Sequence, residues 1–455
     1  MIVMKFGGTS VGSREAVGRT VGIVRGRLQE RPVVVVSAMS KVTDMLYAIS
    51  DALEAGDKDA ADLALAELRQ KHLETAAALL PSDPIWREEA YSRISDICDA
   101  LQNFADEVIG GHLEMDKRRK AIIDSKGEYL SSNMICCYMN SVGIRTEWVD
   151  AREFMLTDND YLQGIPDMHE IERRCPKVID AAFAAAEAVI TQGFVCKTAD
   201  GSEGVLGRGG SDYSASIIGM AIDASRIEIW TDVDGVQSAD PRKVSNTRRI
   251  SRISFEEAAE MAAYGAKVLH PKTIEPAVSK NIPVMVLNSM NPDGQGTVIL
   301  QSAFIEDGVR SVSSKENIRL VRVSQPVMTA VSELLTATFA ALAESRVKVD
   351  LVKVTPRELL FTTDSTDYIA AAAQRISAFA KVSVEDGYAQ ISVIGKNISE
   401  LKLALKAASA ELRNSPLASV AQNDSYVNIS FVVPRAGVRD DVQKIHTYLF
   451  GREER

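Results

Sequence analysis

The sequence predicts an α/β protein in which a sheet sandwiched by helices is followed by two small ferredoxin-like βαββαβ modules. Three observations carry that reading. Residues 1–300 alternate short apolar strands with amphipathic helices. The stretch from about 52 to 123 turns wholly helical and rich in Ala, Leu and Glu, as helices inserted into the sheet domain. Beyond the turn-forming cluster Asn291-Pro292-Asp293-Gly294-Gln295-Gly296 the order becomes β-α-β-β-α-β and then repeats.

In chain order, Ile2 to Phe6 reads as the first strand, and Val17, Val21, Val24 and Leu28 mark a helix over 13–28. Pro32 to Ser37, with four consecutive valines, reads as a central strand buried on both faces. Later strands are expected at 188–191, 226–231 and 283–287. The first small module, 315–387, takes strands at 317–324, 347–355, 358–364 and 381–384, with helices at 331–346 and 368–380. The second, 388–455, takes strands at 389–394 and 427–433 and helices at 401–412 and 438–449. Two such modules after a catalytic domain point to a small-molecule sensor by analogy. The inserted helices form either a lid or an outer layer, and periodicity does not separate the two.

A chain of 455 residues is too long for one typical domain. Its composition, 46% hydrophobic and 25% charged, is that of a soluble globular protein. A formal charge of -10 argues against nucleic-acid or anionic-membrane partners, although a few cations and backbone dipoles suffice for a phosphate site. The five cysteines include no CxxC pair and the five histidines no HExxH, so neither a disulfide framework nor a metal site is expected. The N-terminus reads as a strand rather than a secretion signal, and no apolar run is long enough to span a bilayer; the expected location is cytoplasmic.

Four motifs carry chemistry. Lys5-Phe6-Gly7-Gly8-Thr9-Ser10 closes the first strand, and its glycines let backbone N–H groups approach an anion while Lys5 supplies a mobile charge. It is not a Walker A loop. Leu206-Gly207-Arg208-Gly209-Gly210-Ser211-Asp212 opens a helix; Arg208 is suited to gripping a carboxylate, and Asp212 either holds a lysine or simply favours the helix dipole. Trp230-Thr231-Asp232-Val233-Asp234-Gly235-Val236, with Asp240-Pro241-Arg242 after it, sits at a strand's carboxyl end, where open α/β sheets bind ligands. Ser254-Phe255-Glu256-Glu257 caps a helix ending near Gly265, before Lys267 and His270; a structural role suits His270 better than a catalytic one.

Taken in order, KFGGTS, VVSAMSKVTDML, GEYLSS, TQGF, LGRGGSD, IWTDVDG and GAKVLHP resemble the aspartate kinases, members of the amino-acid kinase family that carry C-terminal ACT domains. The resemblance covers essentially the whole chain. It implies an amino-acid-kinase-like sheet, two ACT-type modules, ATP as phosphate donor and L-aspartate as acceptor. Lys5, Gly7 and Gly8 would contact the transferring phosphate, with Asp212 organising Lys5. Ser37, Thr43, Glu128, Arg208, Gly209 and Ser211 would hold aspartate, Glu128 taking its ammonium and Arg208 a carboxylate. Lys5, Thr231, Asp232, Val236, Arg242 and Lys267 would line the ATP site, and Mg2+ would be held mainly by the ATP phosphates, with no protein ligand named.

The same resemblance implies a homodimer or higher homo-oligomer regulated by an amino acid. Met328-Thr329-Ala330-Val331-Ser332-Glu333 lacks the Gly-Phe pair of lysine-inhibited relatives, and Val354-Thr355-Pro356-Arg357-Glu358 also departs from the pattern; both weigh against lysine, and the effector stays open between lysine, threonine and none. Rival readings are another acceptor within the family (glutamate, N-acetylglutamate, carbamate or UMP) and a catalytically dead sensor. The Glu128–Arg208 pair weighs against the first, and intact Lys5, Arg208, Asp212 and Lys267 against the second. No GxGxxG-bearing dehydrogenase domain is expected after the second module.

Overall fold

The computed structural model describes residues 1–264, 271–324, 330–365, 368–398, 419–422 and 427–451. They fall into two compact units. The first comprises 1–236, 251–255 and 269–304; the second comprises 237–250, 256–268 and 305–455. Two segments that lie within residues 1–300 thus group with the second unit.

In the first unit the chain runs β1 (Ile2–Phe6), α1 (Arg14–Arg25), β2 (Pro32–Val36), α2 (Val42–Ala55), α3 (Lys58–Leu79), α4 (Pro84–Ile109), α5 (Lys117–Ser141) and β3 (Thr146–Val149). It continues with α6 (Met168–Ala182), β4 (Ala188–Gln192), β5 (Val195–Lys197), β6 (Glu203–Val205), α7 (Gly210–Ala221) and β7 (Ile227–Thr231). β8 (Arg252–Ser254), α8 (Phe255–Ala263), α9 (Pro271–Ser279), β9 (Val284–Asn288) and β10 (Thr297–Leu300) follow, α8 after Phe255 belonging to the second unit.

Among the described residues eight of these strands build a sheet ordered β3-β4-β2-β1-β7-β9-β10-β8, and β5 pairs with β6 separately. All neighbours in the eight-stranded sheet are parallel except β9 and β10. β2 lies between β1 and β4 with all five residues buried, which is why it is written almost wholly in valine. The helical stretch between β2 and β3 runs from Val42 to Ser141, longer at both ends than the expected 52–123. Leu46, Leu68, Ile94 and Leu130 of its four helices share one core with Ile2, Met4 and Val34 of the sheet, so the insertion is part of the domain's core.

Register fixes where the site lies. Phe6 pairs with Val36 and with Trp230, and Val36 pairs with Gln192. The carboxyl ends of β1, β2, β4 and β7 therefore lie side by side, and the loops leaving them start at one edge of the sheet. This is the edge at which open α/β sheets bind ligands.

In the second unit β11 (Gly308–Ser324), α10 (Val331–Glu344), β12 (Val352–Val354), β13 (Glu358–Thr363), α11 (Ile369–Ile376), β14 (Lys381–Lys396), β15 (Ser419–Gln422), β16 (Asn428–Pro434) and α12 (Val438–Phe450) follow. They make one six-stranded antiparallel sheet, β12-β13-β11-β14-β16-β15. β11 is twice the length expected and β14 joins the strands expected at 381–384 and 389–394 into one; the two pair from Gly308–Lys396 to Ser324–Lys381, so the expected module boundary at 387–388 falls inside β14. One apolar cluster gathers Val321, Leu334, Phe361 and Ile376; another gathers Val312, Ile391, Phe431 and Ile445. The helix expected at 401–412 lies outside the described residues. No helix among them is long and apolar enough to cross a membrane.

Candidate active site

The loop after β1 makes the first wall. Gly7 donates its N–H to the Trp230 carbonyl (3.2 Å), which keeps this loop against the end of β7. A Cβ on Gly8 would stand 2.9 Å from the Ala38 carbonyl oxygen, so only glycine allows the loops after β1 and β2 to pack this closely. The Ser40 N–H and hydroxyl both donate to the Gly8 carbonyl, at 3.2 and 2.9 Å.

The second wall is the turn before α7. Gly207 (φ 76°) and Gly209 (φ 74°) are left-handed, and Gly209 is the N-cap of α7, which leaves the first-turn N–H groups facing the space outside. Two non-glycine residues, Lys41 (φ 68°) and Phe194 (φ 68°), are also left-handed, and both border the cleft. Such backbone costs about 1–2 kcal/mol per residue and persists only where neighbours over-determine it. For Phe194 the hold is visible: its N–H donates to Ser214 Oγ at 2.9 Å.

These walls enclose a single cleft of about 1050 Å³. Lys5, Gly7, Gly8, Ser37, Thr43, Glu128, Arg208, Gly209, Ser211, Asp212, Thr231 and Asp232 all line it. The two glycine turns, some two hundred residues apart in sequence, thus converge on one space. Lys5 Nζ lies 2.6 Å from Asp212 Oδ1, both largely buried. Aspartate at this position fixes the ammonium without removing its charge, and the neighbouring Arg208 adds a forked donor.

Glu128 is buried on α5, and burial pushes its carboxyl up to about 8 against the opposing hydrogen bond from the Ala38 backbone and the charge of Lys5; the charge of Asp124 raises it further. Asp124, one turn earlier, is pushed up to about 6 by burial, with Lys120 opposing. Asp44, Tyr47, Ser50, Asp51, Lys120 and Asp124 also line the cleft and were not foreseen from the sequence. The signal that finds them is spacing: Asp124 and Lys120 stand four and eight residues before Glu128 on one helix face.

Two expected nucleotide-site residues, Val236 and Arg242, are not part of this lining. Val236 is buried, its N–H donating to Thr297 Oγ1 at 2.8 Å. Arg242 falls in the second unit and forks onto Asp240, the nearest contact 2.7 Å, because the Asp-Pro-Arg turn supplies its own partner. Lys267 and His270 lie outside the described residues. All five cysteines are buried and unpaired, and burial pushes each thiol above its ordinary value, Cys98 to about 11.

Comparison with known proteins agrees with this construction. The Amino acid kinase family model matches residues 1–288. Lysine-sensitive aspartokinase 3 of Escherichia coli (strain K12) is 31% identical over 466 residues, covering 99% of each chain. The chloroplastic bifunctional aspartokinase/homoserine dehydrogenase 2 of Zea mays is 31% identical over 98% of this chain, which spans 50% of that longer protein. The crystal structure of E. coli aspartokinase III in complex with aspartate and ADP (R-state) superposes with a TM-score of 0.85 at 30% identity, covering 99% of this chain and 100% of that one. The T-state complex of the same enzyme with lysine and aspartate gives 0.82 at 29%, covering 99% of both.

The chain belongs to the amino acid kinase family. Within it, relatives that match from end to end are aspartokinases, and that is the branch in which this chain stands.

Proposed function

We infer that the protein is an aspartate kinase, transferring the terminal phosphoryl group of ATP to the side-chain carboxylate of L-aspartate. The product, 4-phospho-L-aspartate, opens the biosynthesis of lysine, threonine and methionine. The observation that carries this reading is the convergence of the two glycine turns on one cleft, with Lys5 held at 2.6 Å by Asp212 and Arg208 on the same lining.

The chemistry fits the residues. A carboxylate is ionised at neutral pH, so the nucleophile needs no general base. Phosphoryl transfer then asks for positioning and for neutralisation of charge on the transferred group. Lys5 and the Gly8 N–H supply the charge and a donor at the phosphate, the Gly7 N–H being held by the Trp230 carbonyl. Arg208, Ser211, Ser37 and Thr43 orient the acceptor's carboxylates, and Glu128 takes its ammonium. Thr231 and Asp232 border the nucleotide. Magnesium enters on the phosphate oxygens of ATP, the hard donors it prefers.

Regulation is proposed through the second unit: an amino acid, with lysine the first candidate because the full-length relative is lysine-sensitive, shifts the kinase between two states of a homo-oligomer. Turnover in the cytoplasm suits the buried, unpaired thiols.

The test is a hydroxylamine trap with ATP, magnesium and a panel of acceptors. Aspartyl hydroxamate is expected. A signal with glutamate or N-acetylglutamate and none with aspartate would reassign the acceptor.

A further inference from the structure

Part of the cleft lies between α2 and α5, and apart from Thr43 and Glu128 its side chains have no task in the transfer chemistry described above. Lys120, Asp124 and Glu128 recur every four residues along α5, while Thr43, Tyr47 and Asp51 do so along α2; all six line the cleft. Gly127 holds the helices close: a Cβ there would stand 2.6 Å from Ala38 Cβ and 3.2 Å from Leu46 Cδ1. Asp124 is consequently only 8% exposed, and Ser50 only 3%. Asp124 Oδ1 and Ser50 Oγ have no hydrogen-bond partner among the described residues. Buried polar atoms are normally satisfied, and a buried carboxylate especially so.

The surrounding charges are otherwise engaged. Lys120 Nζ is drawn 2.8 Å from Glu54, and Lys126 and Ser125 are taken by Glu203. The Tyr47 hydroxyl, raised first by burial, is raised further by Asp124, Glu128 and Asp44 and lowered by Arg208, so these groups surround one space. One flank of it is acidic; Lys5 and Arg208 make the cleft cationic elsewhere.

Resting on the aspartate-kinase reading above, we propose that Asp124 and Ser50 join Glu128 in holding the acceptor's ammonium, making this part of the cleft a subsite for a protonated primary amine that refuses N-acylated acids. An ammonium has three donors, and two carboxylates and one hydroxyl supply three acceptors. A dipolar acceptor is thereby oriented, its carboxylates toward Arg208 and Lys5. An arriving cation favours the charged form of a carboxyl that burial alone pushes up, so binding releases protons.

The test compares Asp124→Asn and Ser50→Ala with the wild-type protein by hydroxamate kinetics, and by calorimetry at pH 6 in two buffers of different ionisation heat. Loss of a charge-assisted hydrogen bond predicts a KM for L-aspartate raised about 10- to 100-fold in Asp124→Asn, and loss of a neutral one about 2- to 10-fold in Ser50→Ala. KM for ATP is expected within about twofold of wild type in both, which also reports an intact fold, and the aspartate-linked proton release at pH 6 falls by about half a proton in Asp124→Asn. An L-aspartate KM within about twofold of wild type in both variants overturns the proposal, as does a raised KM with unchanged proton release. Failure of the parent reading is distinguishable, because the wild-type protein itself would then form no aspartyl hydroxamate.

Discussion

Lys5 and Asp212, separated by most of the sheet domain in sequence, meet at 2.6 Å where the end of β1 faces the first turn of α7. The pair sets a fixed positive charge beside the glycine turn that receives the phosphate. Its value lies in geometry more than in stability, since the cost of desolvating two largely buried charges offsets much of their attraction.

Lys5→Ala is therefore expected to lower kcat by about 10²–10³. The variant should keep a cooperative thermal transition. Coupled ADP release measures the first effect and calorimetry the second.

Asp212→Asn removes the group that aims Lys5, and a smaller loss of about tenfold in kcat is expected. The two residues act as a unit, so the double variant should lose much less than the product of the single losses. A double-mutant cycle in kcat checks the coupling.

Gly209→Ala places a side chain at φ 74° on the N-cap of α7. A cost of about 1–2 kcal/mol in stability is expected, read by urea unfolding. Turnover should fall as well, because this residue orients the N–H groups that face the cleft.

Glu128 gives the protein a pH dependence of known sign. Its carboxyl is raised from 4.5 to about 8 in the fold. The folded state then binds the extra proton between those values, so without substrate stability is full below 4.5 and declines as pH rises through 8. Glu128→Gln should remove that decline and unfold at a higher temperature than wild type near pH 8. Scanning the thermal midpoint from pH 5 to pH 9 decides it.

Much of the fold and site was legible because local pattern and tertiary role coincide. Four valines in β2 announce a strand covered on both sides, and Gly8, Gly207 and Gly209 mark close approach or left-handed backbone that favours glycine. What stayed hidden depends on which neighbour a face meets. Val42 and Leu46 pack helix α2 onto the sheet core, yet as a short apolar run before residue 52 they carry little periodic signal, so the helical stretch was read too short. β11 and β14 run straight through the junction of the two small modules, and a strand's period of two is blind to where one module ends. Asp124 follows the helical period as any solvated carboxylate does; only the closeness of α2 at Gly127 turns it into a buried one. Arg242 stands soon after a nucleotide-site motif, but its turn carries Asp240, and the nearer partner takes it.

The most direct measurement of the central claim is the regiochemistry of transfer. The product formed from ATP and L-aspartate is reduced with borohydride before it hydrolyses, which converts an acyl phosphate to the matching alcohol. Phosphorylation of the side-chain carboxylate predicts homoserine. Recovery of 3-amino-4-hydroxybutyrate, or of no alcohol while ADP accumulates, would contradict an acceptor held by Arg208 with its side chain turned toward Lys5.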